Sequence, residues 1–249
     1  MTVKKTPKKA LLCFHGTGSR RSIFNVQMAR ICYQLRDVFE FIFLDGPLEC
    51  GPGPGVLPMF SGQEPYRGWF HGHEVSIDES IREINGAVQT GLDDWRSSNA
   101  DADVENIVGA VGFSEGGLAL TLMLWLQQEQ RQQQEQQQEQ EQQVLLSALP
   151  TLQFAAISCC FFPREASLWM NARAQARGKK TALIDVPTLH IHGNRDFYLG
   201  RARQLVRNHY QPQCATIVQV DTSHHLPTQK DDGAEVFKHI RRLAGVKAE

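Results

Sequence analysis

Six short runs of almost uninterrupted apolar residues punctuate this chain: Ala10–Phe14, Phe39–Leu44, Ile107–Val111, Phe154–Ser158, Thr188–His192 and Ala215–Val220. A strand with one wet face alternates apolar and polar residues. Runs without alternation belong to strands buried on both faces, as in a parallel sheet covered by helices. Helix-forming segments fall between them, over Ser22–Leu35, Ile77–Trp95, Gly116 to beyond Leu126, Glu165–Gln175, Gly200–Asn208 and Gly233–Leu243. This alternation predicts an α/β fold with a mostly parallel six-stranded sheet and helices on both faces. No repeat or second domain is legible, and the 249 residues suffice for a single domain with a sizeable core.

The third run carries the chemistry. Ile107–Val111 leads into Gly112-Phe113-Ser114-Glu115-Gly116, a G-x-S-x-G pentapeptide, and the helix-forming stretch Leu118–Leu126 follows. Strand, tight turn, serine and helix in that order are the context of a nucleophile elbow. Such a turn strains the backbone at Ser114, so small residues must flank it, and Gly112, Gly116 and Gly117 supply the clearance. A serine hydroxyl is a poor nucleophile at neutral pH. It needs a histidine to accept its proton and a carboxylate to orient that histidine.

In the α/β-hydrolase arrangement the carboxylate and then the histidine follow the serine along the chain. Asp196, in His192-Gly193-Asn194-Arg195-Asp196, directly follows the fifth apolar run. A turn there holds it at the same sheet edge as Ser114. Asp185 is the rival, but it precedes its strand and so belongs to the opposite end. The histidine lies in Ser223-His224-His225-Leu226-Pro227, after the last strand, and the residues alone leave His224 and His225 as alternatives. The oxyanion of acyl transfer needs preorganised N–H donors. One expected donor is the backbone N–H of Glu115, immediately after the nucleophile, for which only the Glu115 backbone is needed. The other is the backbone N–H of Thr17, in the glycine-flanked loop His15-Gly16-Thr17-Gly18.

Composition narrows the partners. A formal net charge of −1 argues against nucleic acid and an anionic membrane surface. No stretch is long and apolar enough to cross a membrane. Lys4, Lys5, Lys8 and Lys9 read as a solvated tail. The six cysteines are irregularly spaced without C-x-x-C; Cys13, Cys159 and Cys214 are expected as reduced core residues of a cytoplasmic protein. His71, His73 and Glu74 lack the H-E-x-x-H spacing of a metal site, so neither metal nor organic cofactor is expected.

Two segments break the rhythm. Glu49–Trp69 is rich in glycine, proline and aromatics and reads as a lid or pocket wall, because long loops in compact folds are often functional. Tyr66, Trp69 and Phe70 are its candidate substrate-binding residues. Gln127–Gln143 is almost entirely Gln and Glu with one arginine. It reads as a low-complexity insertion that either extends the preceding helix as a solvated rod or stays disordered.

Four motifs in order, Phe14-His15-Gly16-Thr17-Gly18, Gly112 to Gly117, His190 to Asp196 and His224-His225-Leu226-Pro227, resemble the fungal FSH-type serine hydrolase family, related to the human ovarian-cancer-associated serine hydrolase. Phe43-Leu44-Asp45-Gly46-Pro47 is similar to the turn after that family's second strand. The resemblance covers most of the chain outside Gln127–Gln143. It implies an α/β-hydrolase fold and a catalytic histidine three residues before a proline, which registers onto His224 and leaves His225 variable. Gly51–Val56 and Pro65–Phe70 are similar to members associated with fungal polyketide biosynthesis. That similarity implies an esterase or thioesterase acting on a small-molecule acyl ester or thioester, with an acyl carrier domain of a polyketide synthase as a partner. A general carboxylesterase, an acyltransferase using the same triad and a non-catalytic binding protein on a hydrolase fold stay open at this point.

Overall fold

The computed structural model describes residues 8–72, 75–135 and 148–246. In chain order the elements are β1 (Lys9–Phe14), α1 (Arg21–Gln27), α2 (Ala29–Leu35), β2 (Phe39–Leu44), β3 (Leu48–Cys50), β4 (Tyr66–Gly68), α3 (Ile77–Ser98), β5 (Ile107–Phe113), α4 (Glu115–Glu135), β6 (Phe154–Ser158), α5 (Arg164–Gln175), β7 (Thr188–Gly193), α6 (Leu199–His209), β8 (Ala215–Val220) and α7 (Lys230–Leu243). The six apolar runs form one sheet in the order β2-β1-β5-β6-β7-β8, and every neighbouring pair is parallel.

Side chains alternate across a strand, and β1 shows what that does to the core. Ala10, Leu12 and Phe14 join Ile81, Val88, Met123, Met170 and Leu205 of α3 to α6 on one face. Leu11 and Cys13 join Phe24, Ile31, Leu35, Val236 and Ile240 of α1, α2 and α7 on the other. Burial on both faces holds throughout the central β5, β6 and β7. It fails at the edges, where a strand lacks a neighbour: β8 is largely open, with Ile217 exposed.

Three expectations need correction. The helix read over Ser22–Leu35 bends into α1 and α2 at Met28, whose ψ of −2° departs from the α-helical value; the apolar stripe Phe24, Met28, Ile31 and Leu35 continues across the bend. Cys214 is only half-buried, in the turn before β8, whereas Cys13 and Cys159 are buried. The Gln/Glu run does not begin as a solvated rod. Gln127, Gln128 and Glu129 on α4 are buried. The Gln127 amide clasps the Pro150 carbonyl and the Leu152 N–H at 2.8 and 3.0 Å. Gln128 does the same to the Leu183 carbonyl and the Asp185 N–H, both at 2.8 Å. Glu129 pairs with Arg177 and with Lys179. Burying polar groups costs little when each is hydrogen-bonded, and these side chains replace backbone partners for two connecting segments. The rest of the run, 136–143, lies outside the described residues, as do Lys4, Lys5, His73 and Glu74.

Four histidines among the described residues, His15, His190, His192 and His209, are buried. Burial holds His15 and His192 down to about 4 and His190 down to about 3. An unfolded histidine protonates near pH ~6.5, so the unfolded chain binds protons that the native chain refuses as pH falls below that value. Stability is therefore lost between pH ~6.5 and the native pKa values, by about 1.4 kcal/mol per pH unit for each histidine once its unfolded form is fully protonated. Urea titrations should show the unfolding midpoint dropping steeply from pH 7 to pH 5; a level midpoint across that range would refute neutral, buried histidines.

Candidate active site

The chain leaves β1 toward β2 on one side and reaches β5 on the other. This reversal opens a crevice at the C-terminal ends of the two strands, where open α/β sheets bind ligands. The strands end level, Phe14 opposite Gly112, so the loop after β1 and the turn after β5 meet. Gly16 lies so close that a β-carbon there would approach the Ser114 side chain to 3.3 Å.

Ser114 has φ 52°, the left-handed conformation that non-glycine residues rarely adopt. Its neighbours explain how the turn closes. A β-carbon on Gly116 would stand 2.3 Å from the Phe14 carbonyl oxygen, one on Gly112 would meet the Gly116 carbonyl, and one on Gly117 would press on Cys160. The Ser114 N–H donates to the Ser158 carbonyl at 2.9 Å, tying the turn to β6.

Asp196 and His224 arrive from adjacent strands. The Asp196 N–H donates to Gly193 O at 3.1 Å, and the loops after β7 and β8 are laced by Asn194 N–H to Val220 O and Arg195 N–H to Thr222 O, both 2.9 Å. His224 Nδ1 lies 3.0 Å from Asp196 Oδ1, and His224 Nε2 lies 2.9 Å from Ser114 Oγ. All three side chains are largely buried. Burial pushes the Asp196 carboxyl up, but hydrogen bonds from His224 and the Tyr198 N–H outweigh it and hold the group below the usual carboxylate range. Asp196 is thus a fixed anion that favours the Nδ1–H tautomer and leaves Nε2 free to take the serine proton. Asp185 lies before β7, 3.9 Å from Arg131, at the opposite end. His225 is exposed and directs Nδ1 at the Leu226 carbonyl, 2.9 Å away.

No acceptor among the described residues takes the backbone N–H of Thr17 or that of Glu115, the residue after Ser114. The sequence reading missed the Glu115 side chain. Its carboxylate accepts the Trp69 N–H at 3.0 Å and a hydrogen bond from the Thr17 side chain, while burial raises its pKa. The Trp69 indole N–H reaches the His15 carbonyl at 2.8 Å. His15 itself accepts the Gly46 N–H at Nε2, 3.0 Å, and turns Nδ1 to Gly16 O at 2.7 Å, which fixes a neutral ring. Asp45 accepts the Arg21 N–H at 2.7 Å. Gly53 N–H donates to Gly18 O at 3.1 Å, and Arg67 N–H to Ser19 O at 2.6 Å. The segment read as a lid is therefore bolted along its base to the loop after β1 through the β3–β4 hairpin.

That bolting changes the role of its aromatics. Trp69 is fully buried, packed 5.1 Å from the rings of Phe14 and His15. Tyr66 is buried with Ile23 and Val56 and donates its hydroxyl to Phe60 O at 2.8 Å. Neither presents ring surface to a ligand; of the three expected substrate residues only Phe70 keeps some exposure. The aromatic residues beside the catalytic histidine lie elsewhere, and of them Phe197 is exposed, Tyr198 partly buried and Phe113 buried. Phe197, 62% exposed, stands 4.6 Å from the His224 ring, with Tyr198 at 5.4 Å and Phe113 at 5.2 Å. Phe197-Tyr198 directly follows Asp196, and that adjacency was the available signal.

Cys159, at φ 49°, is a further neighbour unanticipated by sequence. Its thiol, pushed up to about 12 by burial and the Asp196 charge, stays protonated and faces the Ser223 and His225 carbonyls at 3.9 and 3.8 Å. The potential ligand atoms of Cys159, Asp196 and His224 lie within 4.8 Å of one another. Those of Asp196 and His224 are already committed to each other. His71 pairs with Glu83 at 2.8 Å.

Comparison with known proteins agrees with this geometry. The family described as Serine hydrolase (FSH1) matches residues 1–236. The esterase mlcF of Penicillium citrinum is 37% identical over 95% of this chain and 90% of its own length. An Aspergillus terreus thioesterase, named for dihydromonacolin L and the lovastatin nonaketide synthase, is 31% identical over 96% and 93%. Zea mays acyl-protein thioesterase 2 shares the fold, with a TM-score of 0.57 at 17% identity over 98% of this chain and 96% of that one.

Substitutions at three positions test the assignment of roles. His224→Ala should lower ester hydrolysis on the order of 10⁴-fold while His225→Ala leaves it near wild type; the reverse pattern would move the base by one residue. Glu115→Ala should lower kcat about 10-fold, because charge-assisted hydrogen bonds of about 1.5–3 kcal/mol hold the Thr17 loop against the elbow. Glu115→Gln should recover most of the loss, and wild-type kcat in the alanine variant would show that the carboxylate positions nothing.

Proposed function

The chain belongs to the serine hydrolase (FSH1) family, and from that premise we propose that it hydrolyses an acyl thioester through a covalent acyl-enzyme on Ser114. His224 Nε2 takes the hydroxyl proton as Ser114 Oγ attacks the carbonyl carbon. The backbone N–H groups of Thr17 and Glu115 hold the oxyanion, a contribution worth roughly 10²–10³ in rate per donor. Asp196 keeps the imidazole oriented and offsets the positive charge it gains. The tetrahedral intermediate collapses, the C–S bond breaks, and the leaving thiolate takes the proton from His224. Water then attacks the acyl-enzyme with His224 as base, and the acid leaves with Ser114 regenerated.

The observation that carries this reading is the unbroken hydrogen-bonded line from Ser114 Oγ through His224 to Asp196 at 2.9 and 3.0 Å. The aromatic wall of Phe113, Phe197 and Tyr198 beside it suits an apolar acyl chain. The Aspergillus relative's name supports a polyketide acyl group delivered by an acyl carrier domain. A single cytoplasmic domain spanning residues 1–249 fits the same picture.

Intact-protein mass spectrometry after fluorophosphonate treatment should give one adduct on wild type and none on Ser114→Ala. An adduct persisting in the variant would place the nucleophile elsewhere. Wild type should then cleave an acyl thioester faster than the matched oxygen ester; equal or reversed rates would make it a general carboxylesterase.

A further inference from the structure

A cavity of about 300 Å³ opens between the start of α5 and the length of α6, apart from the triad. Three arginines, Arg164, Arg201 and Arg207, dominate its polar lining beside Ser167, Gln204, Asn208 and His209, and no carboxylate contributes. In a chain with 27 acidic and 26 basic residues, a lining with three arginines and no acid is one-signed. The arginines are also uncommitted: none of the three forms an ion pair or hydrogen bond among the described residues. Elsewhere Arg21 engages Asp45 and Asp94, Arg173 engages Asp78, and Arg241 engages Asp37.

The floor of the cavity is set. Ser167 donates its hydroxyl to His209 Nε2 at 2.6 Å, and His209 Nδ1–H donates to Ala182 O at 3.0 Å. Burial lowers the His209 pKa and favours the neutral ring, and the positive charge comes from guanidinium groups that do not titrate in the physiological range. Arg164 opens α5, whose N-cap, Pro163, offers no side-chain cap, and Arg207 stands in the last turn of α6 across from it. Three planar forks around one small volume exceed what a single carboxylate requires and match the oxygens of a phosphate.

Position links the cavity to the reaction. Helix α5 follows β6, and α6 begins three residues after Asp196, so both helices leave the sheet edge that carries Ser114, and the lining runs along α6 from Arg201 to His209. Phe162 lines the cavity. Its neighbour Phe161 lies 4.7 Å from Tyr198, which borders His224. We propose that this cavity binds the phosphate of an acyl phosphopantetheine thioester, anchoring the donor while its thioester reaches Ser114. The assignment rests on the thioesterase reading for its ligand and on the arginines for its location. Coenzyme A offers a diphosphate and a carrier-borne arm a phosphodiester, and both present phosphate oxygens at the same distance from the thioester.

The test separates the two claims. Calorimetry on Ser114→Ala should show coenzyme A binding and pantetheine, which lacks phosphate, binding at least 10-fold more weakly. The combined variant Arg164→Gln, Arg201→Gln, Arg207→Gln, checked for a wild-type melting curve, should lose that difference. With Ser114 intact, the triple variant should raise KM at least 10-fold for an acyl-coenzyme A while leaving the matching N-acetylcysteamine thioester unchanged. Repeating the assay with an acyl-loaded phosphopantetheinyl carrier protein distinguishes the sources: arginine dependence confined to the carrier assigns the carrier-borne arm, and dependence with both donors assigns the phosphate itself. Equal binding of coenzyme A and pantetheine, together with wild-type KM for both phosphate-bearing donors in the triple variant, would overturn the site. Arginine-dependent coenzyme A binding in a protein that cleaves esters but no thioester would sink the thioesterase reading and leave the phosphate site standing.

Discussion

A serine held at φ 52° costs about 1–2 kcal/mol relative to the right-handed conformation, and it persists only where the surroundings over-determine it. Here they do so from three sides. The first turn of α4 presses on the carbonyls of Phe14 and His15 through Gly116, β5 folds back on that turn through Gly112, and β6 holds the Ser114 N–H. Each contact needs a missing β-carbon or a strand end at the right height. The parallel register of β1, β5 and β6 provides those heights, so the site depends on the sheet and not on the pentapeptide alone.

A second set of constraints holds the loops around that serine. Glu115 reaches Trp69 and Thr17, Trp69 reaches His15, and His15 reaches Gly46. These bonds join the loop after β1, the turn after β2 and the elbow into one unit. Buried donors and acceptors left without partners would be costly, so the loops hold one another in place. The loop of Thr17 is thereby preorganised before any substrate arrives, which is the condition under which backbone dipoles stabilise developing charge most effectively.

The six strands were legible because strands buried on both faces write their burial directly into short apolar runs. Ser114, Asp196 and His224 were legible because each follows one of those runs. The hairpin β3–β4 was not, since three-residue strands such as Leu48–Cys50 carry too little pattern to distinguish from a loop. Trp69 misled for a different reason: an aromatic in a glycine-rich loop has the same letter whether it faces a ligand or, as here, spends its indole N–H on a backbone carbonyl. The Glu115 carboxylate was overlooked because the motif assigns work to that residue's backbone, and its two partners lie 46 and 98 positions away in the chain.

Helix α4 carries one further consequence. Its 21 residues span about 30 Å, with the elbow at one end and the Gln/Glu run at the other. Gln127, Gln128 and Glu129 are each read individually, by the Pro150, Leu183 and Lys179 segments. To this fold the opening letters of that run form a fixed address: three side chains of unremarkable composition, each in one register, pin the far end of the helix whose other end presents Ser114.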